Sequence, residues 1–429
     1  MSEPLEDPRP ATDHSPESTL RHLATELSTP LLVHDRAVLR RRAGELRRVL
    51  PADAVLLYSL KANPLPPVVA ALQAAGCGSE VSSLGELAVA LGTGAPPGPI
   101  LYTGPGKSVA ELRAAVDAGA ILSCESAVEV ARVREAVRPG PTAPLRVVVR
   151  VQPPSRPAAG LSMSDGRQFG FLVDEAIEFC RRPGAGVEVL GVHCYLGSQL
   201  PTPDDLLAAF AHVVDVVGNI AAESGVPPRI VDVGGGFPWP YATPGQGPDL
   251  TSLAAGLPQV LAPLAAAGAE VWFESGRGLV AAAGRLLTTV RDVKHRAGTT
   301  VVVVDAGVNV LGGMSGLGRV LRPSTQLRNL SNPDGPRTTV DVVGPLCTPL
   351  DRLAVNSTVA APSVGDLLCV ENVGAYATTA ALSAFLSRPP AVEVVVDGDE
   401  VVEAWSLATG HVPVALSAPL RVAEPVRAG

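Results

Sequence analysis

Lysine is scarce in this chain, and its scarcity draws attention to one residue. The 34 basic side chains include only three lysines, Lys61, Lys107 and Lys294. Unlike arginine, a lysine amine can lose its proton and attack a carbonyl carbon. Lys61 directly follows the β-type run AVLLYSL and could form a Schiff base with an aldehyde. The alternative for Lys61 is an ordinary solvated charge, and Lys107 and Lys294 have no assigned role.

A second group of residues has the chemistry of an anion site. Three consecutive glycines, Gly234 to Gly236, leave backbone N–H groups free to approach a phosphate closely. Arg277 can bind phosphate oxygens in a bidentate manner. The alternative for the glycines is a simple turn after a strand.

Glu274 follows the apolar residues VWF, where a buried carboxylate needs a positive partner. A pyridinium N–H would meet that need, and an internal ion pair with Arg277 is the alternative. Taken together, an amine, a phosphate site and a carboxylate at the ends of strands are what pyridoxal 5′-phosphate (PLP) requires. The sequence therefore predicts PLP as the cofactor and assigns no residue to a metal.

These residues must be positioned by a repeating β/α pattern. Eight β-type runs alternate with helical segments rich in Ala, Leu, Glu and Arg, and they cover 54–60, 79–83, 99–104, 120–124, 145–151, 188–195, 229–235 and 270–274. Eight such units favour a closed (β/α)8 TIM-like barrel over an open doubly wound sheet. In such a barrel, catalytic groups lie at the carboxyl ends of the strands, where Lys61, Glu274 and the glycines are found.

The remaining chain has a different pattern. After about residue 285, valine- and threonine-rich runs separated by turns predict an antiparallel β-sandwich or β-barrel domain. The early run at 30–35 stands apart from the barrel strands and is predicted to join that domain. We therefore expect a disordered tail over 1–20, a PLP-binding barrel over 37–285, and a C-terminal β domain built from 21–36 and 286–429.

Composition excludes several classes of function. A formal net charge of −8 argues against nucleic acid as a partner. No uninterrupted apolar run is long enough to predict a membrane span, and no export signal precedes the first helix. The six cysteines contain no CxxC pair, so structural zinc is not predicted. We expect a cytoplasmic enzyme that binds a small molecule.

The chain resembles the fold-type III PLP-dependent decarboxylases, the alanine-racemase-like family that includes ornithine and diaminopimelate decarboxylases. The resemblance extends from about residue 30 to 400 and rests on YSLKANP (58–64), SSLGEL (82–87), GSQ (197–199), DVGGGFP (232–238), ESGRGLV (274–280), GPLCTPLD (344–351) and ENVGAY (371–376).

The resemblance implies specific roles for residues of this chain. Lys61 would be the Schiff-base lysine, Glu274 the partner of the pyridine nitrogen, and Tyr195 the side chain that stacks on the ring. The phosphate would be held by Ser198, Gly235, Gly236, Gly276, Arg277 and Tyr376. Cys347 and Asp351 would reach the active site of a neighbouring subunit, which implies a homodimer with shared sites. Cys347 would return the proton after carbon dioxide leaves.

The sequence departs from the family pattern where the substrate would bind. Tyr195 stands where the family usually has histidine, and Glu80 where it usually has aspartate. Thr348 and Pro349 follow Cys347 in place of an acidic residue and serine, which argues against diaminopimelate as the substrate. The loop at 310–324 offers Arg319 and Arg322 for a distal carboxylate. An amino acid of a secondary pathway, free or attached to a carrier protein, is the second candidate.

The predicted reaction is PLP-dependent α-decarboxylation of an amino acid, catalysed by a carboxy-lyase. Two alternatives stay open at this point. An amino-acid racemase on the same scaffold would exchange the α-proton without loss of carbon dioxide. A non-catalytic, PLP-binding regulatory paralogue would use neither Lys61 nor Cys347 for chemistry.

Overall fold

The computed structural model describes residues 16–94, 98–136, 144–154, 161–162, 168–315 and 324–413. The described chain opens with helix α1 (Glu17–Leu27) and strand β1 (Leu31–Asp35). Helix α1 begins inside the segment 1–20 that the sequence predicts as a disordered tail. The predicted tail therefore extends too far toward the C-terminus. The physical reason is that Leu20 and Leu23 of α1 are buried in an apolar cluster with β1.

Eight parallel strands form a closed barrel, which confirms the predicted (β/α)8 architecture. Each predicted run overlaps one of these strands. In sequence order they are β2 (Val55–Ser59), β3 (Gly78–Val81), β4 (Ile100–Tyr102), β5 (Ile121–Cys124), β6 (Leu145–Val151), β8 (Val187–Cys194), β10 (Ile230–Asp232) and β11 (Glu270–Ser275). The barrel closes where β11 pairs with β2. A separate pair, β7 (Leu161–Ser162) and β9 (Gly197–Ser198), lies outside it.

Helices accompany the barrel strands, and polar caps start several of them. They are α2 (Arg36–Val49), α3 (Pro66–Ala74), α4 (Leu84–Gly92), α5 (Val109–Asp117), α6 (Ala127–Ala136), α7 (Val173–Arg181), α8 (Pro203–Ser224), α9 (Thr251–Ala266) and the short α10 (Arg277–Val280). Ser108 and Glu111 form a capping box at α5, which satisfies backbone N–H groups of its first turn. Helix α8 has the length and apolar composition of a membrane span, but it buries Phe210 and Val213 and packs between α7 and α9.

A second, nine-stranded sheet contains β1 and the C-terminal strands. These are β12 (Gly284–Arg296), β13 (Thr299–Val304), β14 (Leu327–Asn329), β15 (Arg337–Val343), β16 (Arg352–Ala360), β17 (Leu367–Val370), β18 (Val392–Asp397) and β19 (Glu400–Ser406). The sheet is mixed where the sequence predicts an antiparallel one, because β1 pairs with β18 and β13 with β15 in parallel. Both parallel partners are far apart in the chain, so turn signals between neighbouring runs do not predict them.

Loops of this sheet reach the rim of the barrel beside Lys61. The backbone N–H of Tyr376 donates to the carbonyl of Ala62 at 2.8 Å, and Asn63 Nδ2 donates to the carbonyl of Gly374 at 3.1 Å. The segment that follows β17 is therefore fastened to the turn that carries Lys61.

Candidate active site

Lys61 lies in a single 3₁₀ turn, Leu60–Ala62, at the carboxyl end of β2. Its side chain is 44% exposed, whereas its partner Glu80 on β3 is buried. Lys61 Nζ lies 3.0 Å from Glu80 Oε2 and 3.2 Å from Oε1. The amine thus stands at the barrel rim and is oriented by a carboxylate from the neighbouring strand.

Glu80 is held in its charged form by several donors. The hydroxyls of Thr103 and Ser82 donate to Glu80 Oε1 in addition to Lys61. Burial raises the pKa of Glu80, but the Lys61 charge and these hydrogen bonds outweigh it, and the pKa is lowered. Glu80 is therefore an anion that neutralises the Lys61 ammonium.

Glu274 is buried at the carboxyl end of β11. Among the described residues Glu274 forms no ion pair with Arg277, which was the alternative considered from the sequence. The Nε2 atom of His193 lies 3.3 Å from Glu274 Oε1. Burial and the negative charge of Glu80 raise the pKa of Glu274 to about 7. A cation placed beside Glu274 would reverse that shift.

The glycine segment crosses the barrel rim between β10 and β11. Gly234 and Gly236 have φ values of 76° and 104°, a region that side-chain-bearing residues rarely occupy. The N–H of Gly234 donates to Asp232 Oδ1 at 2.8 Å, and its carbonyl accepts from the N–H of Glu274 at 2.9 Å. The glycines therefore form a fixed loop whose backbone lies directly against the Glu274 strand.

Arg277 begins α10 just beyond Gly276. Its guanidinium carbon lies 5.0 Å from the ring centre of Tyr376 and 5.3 Å from that of Tyr241. The Arg277 Nε is buried and has no hydrogen-bond partner among the described residues. Two aromatic rings therefore orient a guanidinium that still has donor capacity for an anion.

Tyr195 faces the same space from the end of β8. Lys61 Nζ lies 5.9 Å from the centre of its ring. Burial raises the pKa of the Tyr195 phenol to about 12, against the lowering effects of Lys61 and of a hydrogen bond with Ser198. Tyr195 therefore presents a neutral aromatic face beside the lysine, with Ser198 next to it.

The remaining predicted residues are placed differently. Cys347 is exposed, and no hydrogen bond or ion pair joins it to Lys61, Tyr195 or Glu274 in the described ranges. Asp351 is buried, and its two oxygens accept from the backbone N–H groups of Val308 at 2.8 Å and Leu346 at 2.7 Å. Within one chain, Asp351 therefore supports the loop that carries Cys347. Arg319 and Arg322 lie outside the described residues.

Sequence reasoning missed three contributors to this rim. Asp232 and His193 flank Glu274, and Arg150 on β6 is the strand partner of His193. Each lies on a barrel strand near its carboxyl end, which is the signal that could have identified them. Sequence reasoning assigned them no role, although Asp232 opens the DVGGGFP motif, because their interactions depend on contacts between neighbouring strands.

Comparison with known proteins identifies the family. Residues 36–281 match the model of the pyridoxal-dependent decarboxylases, pyridoxal binding domain. The chain belongs to the pyridoxal-dependent decarboxylases. It is 33% identical to a diaminopimelate decarboxylase of Deinococcus radiodurans over 90% of this chain and 94% of that protein. It is 31% identical to one of Aquifex aeolicus, over 89% and 90% respectively.

Solved structures of such decarboxylases have the same fold. The diaminopimelate decarboxylase of M. jannaschii in complex with L-lysine superposes with a TM-score of 0.80 at 25% identity, over 89% of this chain and 90% of that one. As a member of this family, the chain is a PLP-dependent carboxy-lyase that acts on an amino acid, as the sequence predicts.

The rim residues fit PLP on structural grounds. Glu274 is a buried carboxylate with no Lys or Arg within ion-pair distance among the described residues, and a protonated ring nitrogen would supply the missing charge. Arg277 has a buried donor without a partner in those same ranges, as a phosphate site requires. Lys61, Tyr195 and the glycine loop complete the set of residues that would hold the cofactor.

Proposed function

We propose that this enzyme removes the α-carboxylate of an amino acid with PLP held by Lys61, Glu274 and Arg277. Lys61 Nζ would hold the cofactor through its aldehyde carbon, and Glu274 would keep the ring nitrogen in its protonated form. Bound PLP supplies an electron sink for the pair left by departing carbon dioxide. The observation that carries this proposal is the convergence of Lys61, Tyr195 and Glu274 at one rim of the barrel.

The phosphate is assigned to Arg277 and its neighbours at the same rim. Arg277, held between Tyr241 and Tyr376, binds it together with the N–H groups of Gly235, Gly236 and Gly276 and the Ser198 hydroxyl. The buried Arg277 Nε, which has no hydrogen-bond partner among the described residues, supports this assignment, because a phosphate oxygen would accept from it.

The same proposal includes a homodimer in which Cys347 of one copy serves the site of the other. Cys347 is exposed and lies three residues before Leu350, whose side chain is 79% exposed. Leu382, Phe385 and Leu386 are also exposed, and Arg388 just beyond them donates to the carbonyl of Pro345 at 3.1 Å. An apolar surface around the Cys347 loop is what a second copy would bury. In that arrangement Cys347 returns a proton to the α-carbon.

Shared sites are tested by mixing two inactive variants. Lys61→Arg and Cys347→Ala should each abolish or strongly reduce turnover, and mixed subunits should regain part of it because one site keeps both residues. Light scattering on the purified enzyme measures the dimer directly. A monomeric active enzyme, or inactive mixtures with proven subunit exchange, would contradict the shared site.

Diaminopimelate is the first substrate to test, because the relatives at 31–33% identity are diaminopimelate decarboxylases. The Thr348–Pro349 sequence offers no carboxylate to bind a distal amino group, which supports an amino acid of a secondary pathway, free or carrier-linked, as the second candidate. Diaminopimelate, lysine, ornithine and a carrier-bound amino acid form a suitable panel, with loss of carbon dioxide followed by mass spectrometry.

The reaction type is tested with the same panel in Lys61→Arg and Lys294→Arg enzymes. Lys294 is a surface residue paired with Asp292, so it is a matched control for the lysine-to-arginine change. We expect Lys61→Arg to lose carbon dioxide release and the cofactor absorbance, and Lys294→Arg to keep both. Loss of optical activity without release of carbon dioxide would indicate a racemase. Absence of bound cofactor in the natural protein would indicate a regulatory paralogue.

A further inference from the structure

A buried polar cluster surrounds Glu274 and consists of His193, Asp232 and Glu274. They lie on the adjacent strands β8, β10 and β11, and Asp232 is the strand partner of His193. One ligand atom of each lies within 4.8 Å of the others, and all three side chains are almost fully buried. Two carboxylates and one imidazole in so little space must share their protons, since two adjacent buried negative charges repel.

Ser123 fixes the orientation of the His193 ring. Ser123 Oγ lies 2.8 Å from His193 Nδ1, and the carbonyl of Ser123 accepts from Lys107 Nζ at 2.8 Å. The other ring nitrogen, Nε2, faces Glu274 Oε1 at 3.3 Å, although the angle does not complete a hydrogen bond. A carboxylate only accepts hydrogen bonds, so the proton of the neutral ring belongs on Nε2, and the Ser123 hydroxyl donates to Nδ1.

Charges around His193 keep its ring neutral. Burial and the positive charges of Arg150, Lys61 and Lys107 lower the pKa of His193 well below its ordinary value. The acidic groups facing it are Glu274 and Asp232. His193 therefore turns a polar N–H group toward Glu274 without adding positive charge that would compete with the ring nitrogen for Glu274.

Asp232 is placed to carry the proton that the two carboxylates share. Its Oδ1 accepts from the N–H of Gly234, whereas Oδ2 is buried without a partner among the described residues. Burial and the charge of Glu274 raise the pKa of Asp232 well above its ordinary value. Glu274 also faces Lys61, Arg150 and Glu80, and the two cations favour its charged form.

We propose that His193 and Asp232 are positioning residues for Glu274. His193 directs its Nε2–H toward Glu274 Oε1, 3.3 Å away, and Asp232 holds a proton, so the single negative charge of the cluster stays on Glu274 for the ring nitrogen. This inference rests on the proposed role of Glu274 and assigns a function to two residues that bind neither cofactor nor substrate. Lys107 and Ser123 extend the same support, because they fix the ring of His193.

The role of His193 is tested by replacing it with glutamine or asparagine, whose side-chain amides differ in length. The amide nitrogen of His193→Gln lies near the position of Nε2, whereas that of His193→Asn lies near Nδ1. The measurements are the ¹⁵N chemical shift of the ring nitrogen of bound ¹⁵N-labelled PLP and the Kd of the apoprotein for PLP. We expect His193→Asn to shift the signal toward an unprotonated nitrogen and to raise the Kd about tenfold. His193→Gln should restore most of both properties.

Three further variants complete the experiment. His212→Gln is the matched control, because His212 is a mostly buried histidine on α8 that faces the carbonyl of Pro154. Ser123→Ala keeps the histidine and should show a weaker change in the same direction, so the test survives if His193→Asn does not fold. Glu274→Gln distinguishes failure of the proposed role of Glu274 from failure of the positioning role of His193. If it leaves the ¹⁵N shift unchanged, the proposed function fails; if only Glu274→Gln changes the shift, this inference alone is overturned.

The Asp232 part is tested by infrared spectroscopy of the apoprotein at about pH 8.5, where Glu274, with a pKa of about 7, is ionised. We expect a protonated-carboxyl C=O band that disappears in Asp232→Asn. A band that persists in Asp232→Asn and disappears in Glu274→Gln would place the proton on Glu274 and overturn this part, as would the absence of any such band.

Discussion

Lys61 Nζ lies within hydrogen-bond distance of both carboxylate oxygens of Glu80, at 3.0 and 3.2 Å. Burial alone would lower the pKa of Lys61, but the negative charges of Glu80 and Glu274 outweigh burial and raise it. An amine attacks an aldehyde only in its uncharged form. Attachment of PLP to the apoprotein therefore requires a proton to leave Lys61 against the field of Glu80.

The first prediction concerns Glu80→Gln. Removing this charge should lower the pKa of Lys61, and each unit lost gives about ten times more uncharged amine at a fixed pH well below that pKa. We expect faster attachment of PLP and a pH–rate curve displaced to lower pH, measured by stopped-flow absorbance.

Glu371→Gln is the control for this experiment, because Glu371 pairs with Arg328 and is not among the charges that shift the pKa of Lys61. It should leave the curve of the natural apoprotein unchanged. A Glu80→Gln curve that coincides with that of the control would contradict the electrostatic account of Lys61.

The second prediction is a pH dependence of apoprotein stability caused by Glu274. Its pKa is raised from 4.5 to about 7 in the folded state, so the folded state binds the proton more tightly than the unfolded state. The stabilisation this provides is present at low pH and is lost as the pH rises from about 4.5 to about 7. The loss would approach about 3 kcal/mol, since one pKa unit corresponds to about 1.4 kcal/mol.

Glu274→Gln removes the titrating group, so its apoprotein should lose less stability over this range than the natural apoprotein. Denaturant unfolding at several pH values measures the difference. Glu270→Gln is the matched control, because Glu270 is an exposed carboxylate on the same strand, and its profile should follow that of the natural protein. Parallel profiles for all three proteins would contradict the raised pKa.

Much of the architecture follows from the sequence, because hydrophobic periodicity and strand-end chemistry are local signals. The ends of the eight barrel strands lie within three residues of the ends of the predicted runs, and Lys61 and Glu274 lie at the predicted rim. The parallel pairing of β1 with β18 depends on residues about 360 positions apart, which no local pattern encodes. The His193 cluster depends on contacts across neighbouring strands and was invisible for the same reason.

Asp351 shows a second limit of sequence reasoning. Family likeness assigns it to the active site together with Cys347, yet its carboxylate accepts hydrogen bonds from two backbone N–H groups. Its close approach leaves no room for a side chain at Gly307 or Gly344, where an added Cβ would lie 2.6 Å or less from a carboxylate oxygen of Asp351. These contacts give Asp351 a supporting role within one chain, and its place at the active site of a neighbouring subunit stays a prediction.

The third prediction concerns the buried ion pair of Lys107 and Glu129. Lys107 Nζ donates to Glu129 Oε1 at 2.6 Å and to the carbonyls of Gly104 and Ser123, and both charged side chains are buried. Lys107→Met would leave the Glu129 charge without its partner, which costs about 3–5 kcal/mol. Thermal unfolding of the apoprotein should show a clear loss of Tm.

Two comparisons make this prediction specific. Lys294→Met removes a lysine whose pair with Asp292 is about half exposed, and such pairs contribute about 0–1 kcal/mol. The double variant Lys107→Met/Glu129→Gln removes both charges and should be more stable than Lys107→Met alone. Equal losses in Lys107→Met and Lys294→Met would show that the buried pair has no special role.

The last prediction is steric and concerns Gly235. A Cβ at this position would lie 2.1 Å from the carbonyl oxygen of Glu274, which is far inside van der Waals contact. The loop cannot easily retreat, because the N–H of Glu274 donates to the carbonyl of Gly234 at 2.9 Å. Gly235→Ala should therefore displace the Glu274 strand end, destabilise the protein by about 1–3 kcal/mol and weaken PLP binding.

Gly218→Ala makes the same chemical change at a position where we expect the opposite effect on stability. Gly218 lies inside α8 with no atom within 4 Å of an added Cβ, so alanine should stabilise the helix by up to about 1 kcal/mol. Thermal unfolding and fluorescence titration with PLP measure both variants. If Gly235→Ala binds PLP as tightly as Gly218→Ala, the added methyl group has been accommodated without moving the Glu274 carboxylate. That result would contradict rigid coupling between the glycine loop and the Glu274 strand.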